Sequence, residues 1–83
     1  MIRVTEAKPL PDYRLWLRFS DGREGIVDLQ DFIFADARPI VAELKDPQIF
    51  VDIELDMDTV VWCNGLDLAP EFLYERMTSR EAV

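Results

Sequence analysis

The stretch Tyr13-Arg14-Leu15-Trp16-Leu17-Arg18-Phe19-Ser20-Asp21-Gly22-Arg23-Glu24-Gly25-Ile26-Val27-Asp28-Leu29 decides the fold. Its first seven residues alternate with period two, which puts Tyr13, Leu15, Leu17 and Phe19 on one face of a strand and Arg14, Trp16 and Arg18 on the other. Ser20-Asp21-Gly22 then turns the chain back, and the length of that turn chooses between two registers. A two-residue Asp21-Gly22 loop would set Leu15 against Asp28 and Phe19 against Glu24. A three-residue loop with Gly22 in the left-handed region instead pairs Arg18 with Glu24, Trp16 with Ile26, Arg14 with Asp28 and Leu15 with Val27. Matched cross-strand pairs contribute roughly 0.2–1 kcal/mol each, so the second register is expected.

Upstream, Val4 to Ala7 is expected as a short first strand, closed by Lys8-Pro9-Leu10-Pro11-Asp12, where two prolines lack backbone donors. Downstream, the spacing of Leu29, Phe32 and Ile33 suits one helical turn. Asp36 is then expected to cap a helix over residues 37–45, with Pro39 in its first turn. Pro47 ends that helix, and Asp46-Pro47 opens a further short turn that delivers Ile49 and Phe50 to the core. The alternating run Val51 to Asp56 and the β-branched run Thr59 to Cys63 predict a second hairpin across Met57-Asp58. In it Leu55 pairs with Val60 and Ile53 with Trp62 on the buried face, while Asp52, Glu54, Val61 and Cys63 point outward.

After that hairpin, Asn64-Gly65 supplies residues tolerant of positive φ, and Pro70 opens a C-terminal helix in which Phe72, Leu73 and Met77 are apolar. Ala69 is the expected cap, with Leu68 stapled to Leu73. Asp67 is expected to bond nearby backbone donors that alanine cannot meet. The last residues are expected to fray. The fold class is therefore α+β: an antiparallel β-meander of about five strands in two hairpins, with short helices and a C-terminal helix packed on one face.

Eighty-three residues with 49% hydrophobic content, three glycines and five prolines predict one domain over residues 1–83. The polar N-terminus and the lack of any long apolar run argue against a signal peptide or a membrane span, and a cytoplasmic protein is expected. A single cysteine agrees with a reducing compartment. Seventeen acidic against nine basic residues give a net charge of −8, which repels phosphate backbones. Direct nucleic-acid binding is not expected, whereas basic partners are favoured.

The sequence has no histidine, which removes Ser-His-Asp and Cys-His catalysis within one chain, and one cysteine cannot build a multi-cysteine metal site. Cys63 near a helix N-terminus could be an activated thiol, but no suitable base accompanies it, and it reads as an ordinary strand residue. Asp52, Glu54 and Asp56 share a strand face and could suit metal or glycoside chemistry; their alternation with Val51, Ile53 and Leu55 is that of a solvated face. Asp56 and Asp58 fall short of a calcium loop. No catalytic residue, metal site or cofactor is expected.

The apolar pair Trp16 and Ile26, framed by Arg14 and Arg18, is the more suggestive feature. If helices cover only the opposite side of the sheet it is an interaction patch; otherwise another segment folds over it.

The order and spacing of several fragments resemble a family of small bacterial proteins known as domain of unknown function 2442. They are Asp12-Tyr13-x-Leu15-x-Leu17-x-Phe19-x-Asp21-Gly22, Val27-Asp28-Leu29, Leu44-x-Asp46-Pro47-x-x-Phe50 and Trp62-x-Asn64-Gly65-x-Asp67-Leu68-x-Pro70-Glu71-x-Leu73-Tyr74. The resemblance implies a small α+β domain without an established activity. It makes Asp21, Gly22, Asp28, Trp62, Asn64, Gly65, Asp67 and Pro70 structural motif positions. Some members are fused to a helix-turn-helix domain, and others stand beside a small partner gene as in toxin–antitoxin pairs. This chain stops after its last helix, so the DNA-contacting part is not expected to carry over.

A non-enzymatic protein-interaction module follows as the leading expectation, the antitoxin-like member of a two-protein pair, bound to another small, basic protein or to itself as a homodimer. The alternatives are a regulatory or ligand-sensing domain related to the helix-turn-helix fusions, or a carboxylate-based metal-dependent enzyme.

Overall fold

A computed structural model of the chain describes residues 2–77. The expected fraying of the last residues lies outside them. The fold is α+β. Strands β1 (Val4–Leu10), β2 (Arg14–Phe19) and β3 (Glu24–Asp28) form an antiparallel meander, and β4 (Ile53–Asp56) pairs with β5 (Thr59–Trp62) in a separate hairpin. Between the sheets run α1 (Gln30–Ala35), α2 (Pro39–Ala42), a 3-10 turn (Glu43–Lys45) and α3 (Pro47–Phe50), and α4 (Pro70–Arg76) closes the described chain.

The first hairpin takes the three-residue turn, with Gly22 at φ +92° and its N–H donating to the Phe19 carbonyl. Arg18 stands opposite Glu24, Trp16 opposite Ile26, Leu15 opposite Val27 and Arg14 opposite Asp28. Leu15, Leu17, Phe19 and Val27 are accordingly buried, and they join Leu29, Ile33, Val41, Leu44, Phe50, Val60, Trp62 and Leu73 in one apolar cluster. All the helices contribute to that cluster, so the core lies on one side of the meander. Asp21 fixes the turn by accepting from the Arg23 N–H, and its other carboxylate oxygen accepts from the Tyr74 hydroxyl of α4. Tyr74 in turn stacks edge-on against Phe19.

The structure corrects the first strand, which runs on to Leu10 through Pro9. The Leu29 N–H donates to the Tyr13 carbonyl and the Phe19 N–H to the Arg23 carbonyl, so odd-numbered residues of β2 bond toward β3 and even-numbered ones toward β1. Pro9 is opposite Leu15, so its missing donor faces away from β2, on the outer edge where proline is tolerated. The turn that follows, Asp12-Tyr13, has positive φ at both residues.

Three helices begin at prolines, and the residue before each proline decides where the helix can start. Arg38, Asp46 and Ala69 are all extended, with ψ of 133°, 116° and 142°, because the pyrrolidine ring clashes with a helical predecessor. The single helix expected over residues 37–45 therefore starts only at Pro39, and Asp36 is not its cap. Asp36 instead accepts from the Arg38 N–H and pairs with the Arg38 guanidinium. Asp46 does cap α3 by accepting from the Gln48 N–H, and Phe50 reaches the core as expected.

The second hairpin pairs Leu55 with Val60 and Ile53 with Trp62 around Met57-Asp58, both at positive φ as a tight two-residue turn requires. Its strand begins at Ile53, two residues later than expected, because the Val51 N–H and Asp52 N–H still close the end of α3. Leu55 is 42% exposed and Met57 87%, so the hairpin tip extends beyond the core and Leu55 is not buried as its alternation suggested.

The strand-to-helix link is held differently from the expected way. Gly65 is at φ +93°, but Asn64 is not in the left-handed region; its amide donates to the Ile40 carbonyl and Glu43 carboxylate, and its carbonyl accepts from the Leu66 N–H. Asp67 is exposed and its side chain has no hydrogen bond among the described residues, while its backbone bridges to Val61. The side-chain bond that holds this link comes from buried Thr59, whose hydroxyl donates to the Leu68 carbonyl. Ala69 caps α4 without a side-chain bond, and Leu68 and Leu73 both sit in the core.

Thr59→Val is expected to leave that carbonyl unsatisfied and to cost about 1–3 kcal/mol in chemical denaturation. Asp67→Ala should stay within about 0.5 kcal/mol of the parent, as for an uninvolved surface position. The Tyr74 hydroxyl and the Arg23 N–H hold the Asp21 carboxyl below its ordinary value. A lowered folded-state value contributes stability above the unfolded carboxylate range and loses it as pH falls through the folded one. Tyr74→Phe should therefore lower the melting temperature at neutral pH, and the gap to the parent should close as the pH drops through the acid range. A gap that persists unchanged in acid would contradict the assignment.

Candidate interaction face

Three rows of side chains cross the outer face of the meander. Glu6, Arg18 and Glu24 make one; Lys8, Trp16 and Ile26 the next; Leu10, Arg14 and Asp28 the third. The face therefore carries three cations and three anions around a central tryptophan, on a chain whose net charge is −8. Trp16 and Ile26 are each partly exposed, and neither packs against the core cluster.

Neighbouring charges organise the tryptophan. The Arg18 guanidinium lies 5.6 Å from its ring centre and the Lys8 ammonium 5.5 Å, within cation–π range. Arg18 is itself held from both sides: Nε and Nη2 donate to Glu24 Oε1 at 3.0 and 2.8 Å, and Nη1 lies 3.2 Å from Glu6 Oε1. The bond to Glu24 and the fields of Glu6 and Glu24 push its pKa further up, so it stays charged. Such half-exposed pairs add little stability, but they fix where the guanidinium sits. Arg14 turns along the strand instead, donating from Nε to the Pro11 carbonyl. Asp28 accepts from the Gln30 N–H and starts α1.

The candidate face residues Arg14, Trp16, Arg18 and Ile26 thus lie together. The motif positions Asp21, Gly22, Asp28, Trp62, Asn64, Gly65, Asp67 and Pro70 do not converge on one place; they occupy turns and helix starts. Trp62 is buried, and its indole N–H donates to the Phe50 carbonyl. Glu6 and Lys8 belong to the face and are absent from the sequence reading: Lys8 because the first strand was expected to stop at Ala7, and Glu6 because that strand carried no expected register against β2. The alternation of Glu6, Lys8 and Leu10 against Ala7 and Pro9 was the available signal.

Other places offer less. A cleft of about 220 Å³ is lined by Leu10, Pro11, Tyr13, Phe50 and Val51, among others. It is smaller than ordinary ligand pockets, which start near 300 Å³. Two of its lining residues, Asp12 at φ +64° and Tyr13 at φ +62°, are in the left-handed region, and Tyr13 is tied down by its hydroxyl bond to the Lys45 carbonyl and by stacking on Phe34 and Phe50. Asp52, Glu54, Asp56 and Asp58 are all exposed, and no group of three or more potential metal ligands occurs among the described residues. No helix among them is long and apolar enough to cross a membrane.

Cys63 is exposed at the end of β5. Partial desolvation and the neighbouring Asp52 carboxylate push its thiol above the ordinary value, opposite to what a nucleophile needs. Alkylation by iodoacetamide should accordingly show a pH midpoint above that of a free cysteine peptide. A midpoint below it would reveal an activated thiol.

No curated protein matches the sequence. Among solved structures, NE0471 from Nitrosomonas europaea ATCC 19718, a protein proposed to bind DNA, superposes with a TM-score of 0.78 at 21% identity. The match covers 99% of this chain and 52% of that one, so the chain spans about half the length of NE0471. At that identity the likeness establishes the fold alone. The sequence profile described as "Protein of unknown function (DUF2442)" matches residues 4–79, from the first residue of β1 past the end of α4. The chain belongs to the DUF2442 family, whose function is unknown.

Proposed function

We propose that the chain is a non-enzymatic protein-interaction module that binds a partner through the outer face of its meander. One observation carries this reading: Trp16 is held partly exposed between two cations, at the centre of a charge-balanced face that the core does not use. Tryptophan and arginine are the side chains that most often dominate binding energy at interfaces, and a rim of both signs suits specific docking. The surrounding acidity favours fast association with a basic protein. In this reading the chain is the antitoxin-like member of a small two-protein pair in the cytoplasm.

A second reading draws on the match to half of NE0471. In this second reading the outer face of the present chain would meet a regulatory or DNA-binding partner, and the domain over residues 1–83 would act as the sensing half. The net charge of −8 argues against DNA contact by this chain itself.

Co-purification from the native host tests the proposal. The parent chain is expected to retain a stoichiometric protein partner, and Trp16→Glu to lose it while keeping the parent melting temperature within a few degrees. A parent chain that elutes as a monomer without partner under mild lysis would overturn it.

A further inference from the structure

We propose that the open edge of β3 receives an extended basic segment of a partner as a fourth strand of the meander. This deepens the interaction-module reading and rests on it. The hydrogen-bond parity that lets Pro9 stand in β1 also fixes what β3 offers. Gly25 and Val27 bond toward β2, so the N–H and C=O groups of Glu24, Ile26 and Asp28 point outward from the sheet. None of these has a backbone partner among the described residues. Helix α4 packs on the core side of the β2–β3 hairpin, through buried Leu73 and the stack of Tyr74 on Phe19, and takes no backbone hydrogen bond from β3 among the described residues.

The meander's two edges are treated differently. On β1 the outer edge is blunted by Pro9, and the Val4 N–H is already used by the Asp58 carbonyl of the second hairpin. β3 has no proline, and its protection is electrostatic: Glu24 and Asp28 flank Ile26. In an antiparallel pairing of two copies centred on Ile26, Glu24 of each would face Asp28 of the other, and like charges directly opposite are destabilising. The same acids favour a strand with basic residues opposite Glu24 and Asp28 and an apolar one opposite Ile26. That strand would extend the outer face beside Trp16, combining main-chain bonds for affinity with alternate side chains for specificity.

The probe is the capped peptide Thr-Lys-Thr-Val-Thr-Lys-Thr, titrated into the isotope-labelled full chain, with a control in which glutamate replaces both lysines. Amide shifts of Glu24, Ile26 and Asp28 should move with the lysine peptide and stay still with the control. Ile26→Pro, which removes an outward donor and no bond within the fold, should abolish binding. Glu24→Gln with Asp28→Asn, which keeps the acceptor for the Gln30 N–H, should weaken it about fivefold, as two exposed charge pairs would. Binding that Trp16→Glu weakens and Ile26→Pro leaves unchanged would overturn the edge proposal while leaving the face reading intact. Equal binding of both peptides, no amide shift at the highest soluble peptide concentration, or a dimer of the chain alone that Ile26→Pro disperses would also overturn the edge proposal.

Discussion

The three-residue turn at Ser20-Asp21-Gly22 is the constraint on which the rest depends. Side chains alternate along a strand, so one residue more or less in the turn would exchange the faces of β3 relative to β2. Gly22 at φ +92° permits the turn that puts Val27 opposite Leu15 in the core and Ile26 opposite Trp16 outside it. A side chain at that φ is strained even where there is space, and there is nothing within 4 Å of the position a Cβ would take. Glycine is needed there for the backbone conformation, and not for room. Asp21 then joins the turn to α4 through Tyr74, so the residues that set the register also anchor the C-terminal helix.

The two hairpin registers were legible because they follow from local pairing, where charge and apolarity on both faces select one alignment. What escaped notice depends on long-range geometry. Pro9 stays in β1 because its ring nitrogen faces the open edge, a fact decided by the parity of β2 and not by any local propensity. The helices at Pro47 and Pro70 start where expected, whereas the one expected from residue 37 starts at Pro39, because the proline holds Arg38 extended. Thr59 was read only as a β-former, because its bond to Leu68 spans nine residues and the far side of a turn. Asp67 stands two residues before the Ala69 cap, where its carboxylate was expected to meet backbone donors, yet it is exposed. Of the candidate face, Trp16 and Ile26 were found together from the hairpin alone, but Lys8 and Glu6 needed β1.

The acidity has a structural component that composition alone conceals. Asp21, Asp28, Asp36 and Asp46 each accept the N–H two residues on, as does the Asn64 side chain, giving five turns of one kind. These acids define where strands and helices begin or end. The meander's outer face, in contrast, balances its charges and keeps its tryptophan fixed between Lys8 and Arg18. Turn-forming acids surround the molecule, and Asp28 alone among them also stands on that sheet face. The family match and the likeness to half of NE0471 agree with the fold, and the proposed contact surface is the part of it that the core leaves unused.

Residue-resolved amide hydrogen exchange on the isolated chain tests the central claim most directly, because the turn, the outer face and the open edge all rest on one parity. Gly25, Val27 and Leu29 should exchange slowly, and Glu24, Ile26 and Asp28 at nearly unprotected rates. The reverse pattern, with Ile26 protected and Val27 open, would mean that the faces are exchanged and that Trp16 and Ile26 do not share a contact surface.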